Sequence, residues 1–340
     1  MTIFKVAKFY NLISFHIVNY NLNMLISVVL PMYNEQNVIG LTVKRVRPIL
    51  EEMSANYEVL FVDDGSTDKT KEVVSSVLHD WKEARLICLR SNRGHMAAIT
   101  AGLEFSKGDF VVTIDADLQD PPELIPDMLK IALSEDLDVV YGVRIKRPTD
   151  TLFKRLTAKT YYSLIKKLLG QNISEGAADF RFMSRSVVDE LLQLPEGNRV
   201  YRLLVPWLGY KSGAVEYERE SRKAGKSHYS ISAMTRLAID SVASFTAAPL
   251  RIATWLGVVG MVSALIITIV SVIAHLTGNT SAGWTSLLIA IVFFGAIQLL
   301  CIGLIGEYVA RIFTETQRRP MYYAQEVFVN LHKSEDGSIS

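Results

Sequence analysis

Cysteine is nearly absent from this 340-residue chain: Cys88 and Cys301 are the only two. One falls in an expected strand and the other in an expected membrane segment. No disulfide framework is expected, and a reducing compartment fits. Net charge is nearly absent too. Lys and Arg number 36 against 35 Asp and Glu, leaving +1, which argues against a general nucleic-acid binder. From Ile252 to Gly306 there is no Asp, Glu, Lys or Arg at all. No Gly-x-Gly-x-x-Gly follows the first expected strand, and no Walker A sequence occurs, so dinucleotide and ATP sites lose support. Residues 1–23 lack both a clean apolar core and a small-residue cleavage site, which makes a poor signal peptide. They read as an N-terminal extension without assigned function, with Met24 as a candidate true start.

Against these absences stands the stretch Val111 to Asp120, Val-Val-Thr-Ile-Asp-Ala-Asp-Leu-Gln-Asp. A β-prone run leads into two carboxylates, Asp115 and Asp117, spaced i, i+2, and Asp120-Pro121-Pro122 stops it. Carboxylates two apart on a strand share a face. Their hard oxygens suit Mg²⁺ or Mn²⁺ shared with substrate phosphates. An acidic pair in a turn is more often simply solvated, so the surroundings decide.

Those surroundings repeat one pattern. Met24 to Leu30 reads as a buried strand running into Pro31-Met32-Tyr33-Asn34-Glu35. Helical periodicity covers about Val38 to Met53. Tyr57 to Val62 reads as a strand ending in Asp63-Asp64-Gly65-Ser66-Thr67-Asp68, where Gly65 permits a tight turn and Ser66 or Thr67 can cap a helix near Lys69. Arg85 to Leu89 is a third strand. Asn92 is the expected cap of a helix from Gly94 to Ser106. A helix after Pro122 and a strand from Asp138 to Val143 follow. Strands alternating with helices predict an α/β fold with a mainly parallel sheet covered on both faces. Ligands of such sheets bind at the carboxyl ends of the strands. Tyr33 and Glu35, Asp63 and Asp64, and Asp115 and Asp117 all occupy such ends.

Further along, 151–169 makes a basic amphipathic helix, which suits a membrane surface or partner; a core-facing helix with a solvated basic face reads the same way. In Gly176 to Arg185, Asp179 stands among small and apolar residues, where burial would raise its pKa and an arginine would lower it. The loop holding Arg222, Lys223 and Lys226 around Gly225 can wrap a phosphate, or be a solvated charge run. Residues 230–248 form a second amphipathic segment. Two apolar runs, 250–276 and 284–309, each exceed the roughly 20 residues needed to cross a bilayer. Arg251 flanks the first and Arg311, Arg318 and Arg319 follow the second, which puts the α/β domain and both termini in the cytoplasm. Gly257, Gly260, Gly295, Gly303 and Gly306 allow close helix packing and a homo-oligomer. Residues 310–340 form a cytoplasmic tail in which Met321 to Asn330 adds an edge strand or helix.

In this order and combination, Pro31-Met32-Tyr33-Asn34-Glu35, Val62-Asp63-Asp64-Gly65-Ser66, Asp115 to Pro122, Gly142-Val143-Arg144, Asp179-Phe180-Arg181 and Arg222-x-x-Gly225-x-Ser227-x-Tyr229 make the chain resemble the family 2 glycosyltransferases of GT-A fold. The resemblance is to the polyprenyl-phosphate branch related to dolichol-phosphate mannose synthase, and within it to undecaprenyl-phosphate glucosyltransferases. It covers about Met24 to Arg319 and implies a GT-A domain over 24–229 in a plasma-membrane protein. It further implies that Pro31, Tyr33, Glu35, Asp63 and Asp64 line a nucleotide-sugar pocket with Asp115 and Asp117. The metal would sit among Asp115, Asp117 and Gln119. Arg144, Arg155, Arg222 and Lys226 would take the lipid phosphate, with Asp117 and Asp179 catalytic and Asp179 the base candidate. A phosphate monoester acceptor has a second pKa of about 6, so it needs little help from a base, and Asp179 has an orienting role as its alternative. In-line attack predicts inversion. Glucose from UDP is expected by subgroup, with GDP-mannose and a UDP-4-amino-arabinose derivative as alternatives. A processive synthase would carry Gln-x-x-Arg-Trp and more spans; a non-catalytic assembly protein would not need these carboxylates.

Overall fold

The computed structural model describes residues 24–53, 55–144, 177–197, 199–218, 248–277 and 283–329. The extension 1–23, the expected amphipathic helix over 151–169 and the segment 219–247 lie outside the described residues, and with them Arg155, Arg222 and Lys226.

Short β-branched runs build the centre. β1 (Leu25–Met32) is buried from Ile26 to Met32, as a strand covered on both faces must be. β2 (Asn56–Asp63), β3 (Ala84–Leu89) and β4 (Phe110–Thr113) follow, joined by α1 (Ile39–Glu51), α2 (Thr70–Leu78) and α3 (His95–Phe105). After a 3₁₀ turn at Pro122–Leu124 come α4 (Ile125–Ser134), β5 (Val139–Arg144), β6 (Ala177–Ser184), α5 (Arg185–Gln193), α6 (Tyr201–Trp207) and β7 (Ser212–Tyr217). Two long helices, α7 (Ala248–Leu276) and α8 (Trp284–Thr316), precede β8 (Ala324–Val329).

The sheet order is β7-β5-β6-β4-β1-β2-β3-β8. β1 runs parallel to β2 and β4, and β5 to β7. β6 is antiparallel to both its neighbours and β8 to β3, so the expected parallel sheet carries two reversed strands. From β1 the chain steps outward through β2 to β3, then returns along α3 to β4 on the other side of β1. The direction of winding therefore reverses between β1 and β4, and the loops there splay apart to leave a crevice.

Three local expectations are corrected. β4 ends at Thr113, so Asp115 and Asp117 stand on the loop beyond the strand rather than on one face of it; Leu118 at φ 58° redirects that loop. The cap of α3 is Gly94 at φ 94° rather than Asn92, because the backbone N–H groups of Arg93 and Gly94 are held by Asp64. The cap of α2 is Lys69, without a side-chain bond; Ser66 faces Asp63 instead, and Asp68 accepts the Thr70 N–H at 3.0 Å.

α7 and α8 contain 29 and 33 residues, roughly 44 and 50 Å at 1.5 Å per residue. Both are long and apolar enough to cross a membrane. They are bare: Trp255, Leu276 and Leu299 are 69%, 79% and 72% exposed, which a helix of a soluble core would not be. Gly260 lies 3.6 Å from the Phe294 ring by a virtual Cβ, while Gly257, Gly295, Gly303 and Gly306 meet nothing within 4 Å.

α3 lies very close to β1. A Cβ on Gly102 would come 2.1 Å from Val29 Cγ1. Gly102→Ala is expected to cost about 1–3 kcal/mol through overpacking. Thermal unfolding of the detergent-purified chain checks it; an unchanged midpoint would mean that the two elements are not in this contact.

Candidate active site

The rim of the crevice is stitched together before any ligand is considered. The Asn34 N–H donates to Ser66 Oγ at 2.9 Å, and the Thr67 N–H donates to Asn34 Oδ1 at 2.9 Å. The Glu35 N–H donates to Thr70 Oγ1 at 2.8 Å. The loops after β1 and β2 are thereby one unit. Asn34 holds φ 55°, a conformation asparagine tolerates better than most residues. Gly65, at φ 69°, fits only because it has no side chain: a Cβ there would lie 2.7 Å from the Asn92 backbone nitrogen.

Asp63 and Asp64 are buried and serve this unit. Asp63 takes the Ser66 N–H and hydroxyl. Asp64 takes the Arg93 N–H at 2.7 Å on one oxygen and the Gly94 N–H at 2.8 Å on the other. Burial raises both pKa values, and these hydrogen bonds pull against the rise. Asp64 thus ties the second loop to the start of α3, where His95 begins the helix. Tyr33 is 43% exposed at the end of β1, leaving its ring available to stack on a base.

On the other side of the crevice four carboxylates crowd together. Asp115 is pushed up to about 6, first by burial and then by Asp179, Asp120 and Asp117, with His95 pulling the other way. His95 Nε2 lies 3.4 Å from Asp115 Oδ1 and 3.8 Å from Asp179 Oδ2. The Gln119 N–H donates to Asp117 Oδ1 at 3.1 Å, and the Gln119 side chain is buried. It is this backbone group that orients Asp117. The crowding predicts a cation seat at Asp115 and Asp117. Among the described residues no three His, Cys, Asp or Glu groups converge to enclose a metal by themselves. The donor set fits a divalent ion that keeps waters and completes its shell with substrate phosphate.

The other two carboxylates are neutralised by cations. Asp120 is fully buried and receives Arg144 Nη2 at 3.0 Å, Arg144 Nε at 3.2 Å and the Tyr217 hydroxyl. Arg144, expected on an acceptor phosphate, is bonded here to Asp120 and Tyr217 and ties β5 and β7 to the acidic loop. Asp179, on β6, pairs with Arg181 Nη2 at 2.8 Å and Arg202 Nη2 at 3.6 Å. Burial would raise its pKa, but Arg181, Arg202, His95 and Arg144 outweigh this and hold it below the usual carboxylate range. A carboxylate held that way is a weak proton acceptor near neutral pH.

Pro31, Tyr33, Glu35, Asp63, Asp64, Asp115, Asp117, Gln119 and Asp179 thus all belong to the loops and strand ends around one crevice. His95 and Arg202 were not legible as site residues. His95 opens a helix behind an unremarkable Asn-Arg-Gly, and Arg202 sits in a short apolar helix far along the chain.

The Glycosyl transferase family 2 model matches residues 27–192. The bactoprenol glucosyl transferase of Shigella phage SfV is 36% identical over 300 residues, covering 88% of this chain and 97% of that one. The prophage bactoprenol glucosyl transferase homolog of Escherichia coli (strain K12) is 36% identical over 305 residues, 89% of this chain and 99% of that one. A glycosyltransferase of Bacillus subtilis (strain 168), YkcC, is 40% identical over 303 residues, 89% of this chain and 94% of that one. Among solved structures, a glucosyl-3-phosphoglycerate synthase from Mycobacterium tuberculosis, in complex with Mn²⁺, UDP-glucose and phosphoglyceric acid, aligns at TM-score 0.48. It is 22% identical and spans 64% of this chain and 77% of that one.

Asp120→Asn would leave the Arg144 guanidinium buried without its counter-charge. The expected loss is on the order of 3 kcal/mol, seen as a lower thermal midpoint. Adding Arg144→Met should recover part of it. A double variant no better than the single would show that the pair is not coupled.

Proposed function

The chain belongs to glycosyl transferase family 2, and on that premise we propose that it is a membrane glucosyltransferase. It moves glucose from UDP-glucose to the phosphate of a polyprenol such as undecaprenyl phosphate, inverting the anomeric centre to give a β-linked lipid-phosphate sugar for the cell envelope. The observation that carries this reading is the pairing of an acidic crevice, at the point where the sheet reverses its winding, with two bare apolar helices. The relatives named bactoprenol glucosyl transferase support the choice of sugar and lipid.

In this reading Pro31, Tyr33, Glu35 and Asp64 receive the nucleoside, and Asp63 keeps their loops in register. Asp115 and Asp117 would hold Mg²⁺ or Mn²⁺, which when bound would supply positive charge for a leaving diphosphate. His95 holds Asp115 and Asp179 in their relative positions. Arg202, at the mouth beside Asp179, joins Arg155, Arg222 and Lys226 in taking the acceptor phosphate through its paired donors. The two helices cross the plasma membrane with the catalytic domain on the cytoplasmic side.

Charge dictates how the acceptor attacks. Above its second pKa of about 6 the phosphate is a dianion and is already nucleophilic. It needs orientation and shielding from water more than proton removal. Asp179, kept ionised by its arginines, fixes the guanidinium that holds the acceptor. It is a positioning residue and not the general base.

Purified full-length protein incubated with undecaprenyl phosphate and a panel of nucleotide sugars should yield glucolipid with UDP-glucose. EDTA should abolish the product and Mg²⁺ or Mn²⁺ restore it, and Asp117→Ala should remove it. Lipid product from Asp117→Ala in divalent-free buffer would sink the metal reading, and exclusive use of GDP-mannose or a UDP-amino-sugar would replace the donor. Asp179→Asn should slow turnover no more than about 100-fold, below the full range of a lost general base. Its activity should still rise with pH through about 6, the acceptor's own titration. Complete loss with lipid binding intact would make Asp179 the base.

A further inference from the structure

A cleft of about 1850 Å³ lies away from the acidic rim, between the cytoplasmic end of α8 and the flank of the catalytic domain formed by α3, α6 and the loop after α5. Its walls are more apolar than polar, with Phe105, Leu204, Trp207 and Ile312 among them, and its charged side chains are mixed in sign. Half of its charged side chains are already matched. Glu104 receives the Tyr322 hydroxyl, Glu315 receives the Gly197 N–H at 2.8 Å, and Glu307 pairs with Arg311 at 2.9 Å along the helix. Arg318 and Arg319 are exposed at its edge.

Two groups in the loop after α5 are not matched. Arg199 is 8% exposed. Its Nη2 reaches the carbonyls of Leu192 and Leu194, each at 3.0 Å, but Nε and Nη1 are buried without an acceptor. No carboxylate pairs with it among the described residues. The Tyr201 hydroxyl beside it is bonded to Thr100 at 2.7 Å and also accepts from the Arg199 side chain, so only part of the guanidinium is left over. Three residues earlier, Glu196 Oε2 is buried without a donor. A buried guanidinium edge and a buried carboxylate oxygen left this way each cost the molecule their lost hydration. The complement to both together is a ligand with an anion and an ammonium on one short frame. The cleft opens beside the base of a bare apolar helix, where lipid head groups stand.

We propose that this cleft is a head-group site for an amino-phosphate lipid of the phosphatidylethanolamine class, whose phosphodiester bonds the free edge of Arg199 and whose primary ammonium bonds Glu196. The occupant is not the sugar acceptor. Asp179 and the acidic loop lie at the strand ends, whereas Arg199 faces the flank of α3 and the base of α8. Its consequence is mechanical: it would brace the second membrane helix against the domain. The inference rests on the reading of α7 and α8 as membrane spans, but not on the identity of the sugar transferred.

The test uses the full-length protein in nanodiscs of phosphatidylcholine, alone or doped with phosphatidylethanolamine or phosphatidylglycerol, with the thermal midpoint as readout. Phosphatidylethanolamine should raise the midpoint by about 3 °C or more. Phosphatidylcholine, whose quaternary ammonium has no N–H, and phosphatidylglycerol, which has no ammonium, should not. Glu196→Gln and Arg199→Gln should each lose the rise. Glu196→Gln is the decisive variant, because Arg199 also secures two carbonyls of the loop. A separate arm adds soluble glycerophosphoethanolamine to phosphatidylcholine discs. A rise there would assign the same chemistry to a free head group; a rise only with the lipid assigns it to the membrane. Equal midpoints in all three lipids, or an undiminished rise in Glu196→Gln, would overturn the proposal. Glucolipid synthesis is a separate measurement, so failure here leaves the assigned reaction standing, and the reverse holds.

Discussion

Repulsion among carboxylates on one sheet edge is the constraint around which the molecule is arranged. Asp115, Asp117, Asp120 and Asp179 come together on two short pieces of chain, and like charges this close disfavour ionisation. The fold answers each differently. Asp120 is neutralised internally by Arg144 and Tyr217. Asp179 is clamped by Arg181 and Arg202. Asp115 has, among the described residues, the imidazole of His95 at 3.4 Å as its cationic partner and is left with a raised pKa. The residual negative charge is thus concentrated at the Asp115–Asp117 loop.

The same constraint explains why the neighbouring loops are so heavily cross-bonded. A cation site built on a loop is only as well defined as the loop. Thr113 Oγ1 donates to the Asp179 carbonyl at 2.6 Å, which ties the acidic loop's root to β6. Thr42 Oγ1 donates to the Ala116 carbonyl at 2.7 Å, which ties its middle to α1. Asp64 anchors the start of α3 and so the placement of His95. Every bond in this set joins segments more than 25 residues apart, so the rim is assembled by the fold as a whole.

This also marks what was legible in the residues. The parallel core could be read because buried strands declare themselves as short uncharged runs, and the reversal point follows from their order. The acidic rim could be read because strand ends are where polar residues interrupt such runs. The partners could not. Arg202 and Tyr217 reach the site from positions 85 and 100 residues beyond Asp117, with no local pattern to mark them. Capping propensity pointed to Asn92 and Ser66, but the long-range bonds of Asp64 fixed the start of α3, and Ser66 was taken up by Asp63 three residues before it and by the Asn34 N–H. β6 was hidden by its direction: Asp179 and Arg181 look like a loop motif until the antiparallel pairing with β4 and β5 places them in the sheet.

The crevice is not joined to α8 by a flexible tether. α8 continues past its apolar stretch as one helix to Thr316, and only seven residues, 317–323, separate it from β8. β8 then closes the sheet against β3, with Lys71 bonded to Glu326 at 2.5 Å and packed over Phe328. The Arg90 N–H donates to the Tyr323 carbonyl at 2.9 Å, extending the ladder towards the helix. A linker of seven residues spans at most about 25 Å fully extended, and this one is bonded along its length. The second long helix is therefore coupled through the edge strand β8 to β3, whose following loop is held by Asp64 and leads to His95. Tilting that helix would load the His95 side of the crevice before the Asp120–Arg144 side.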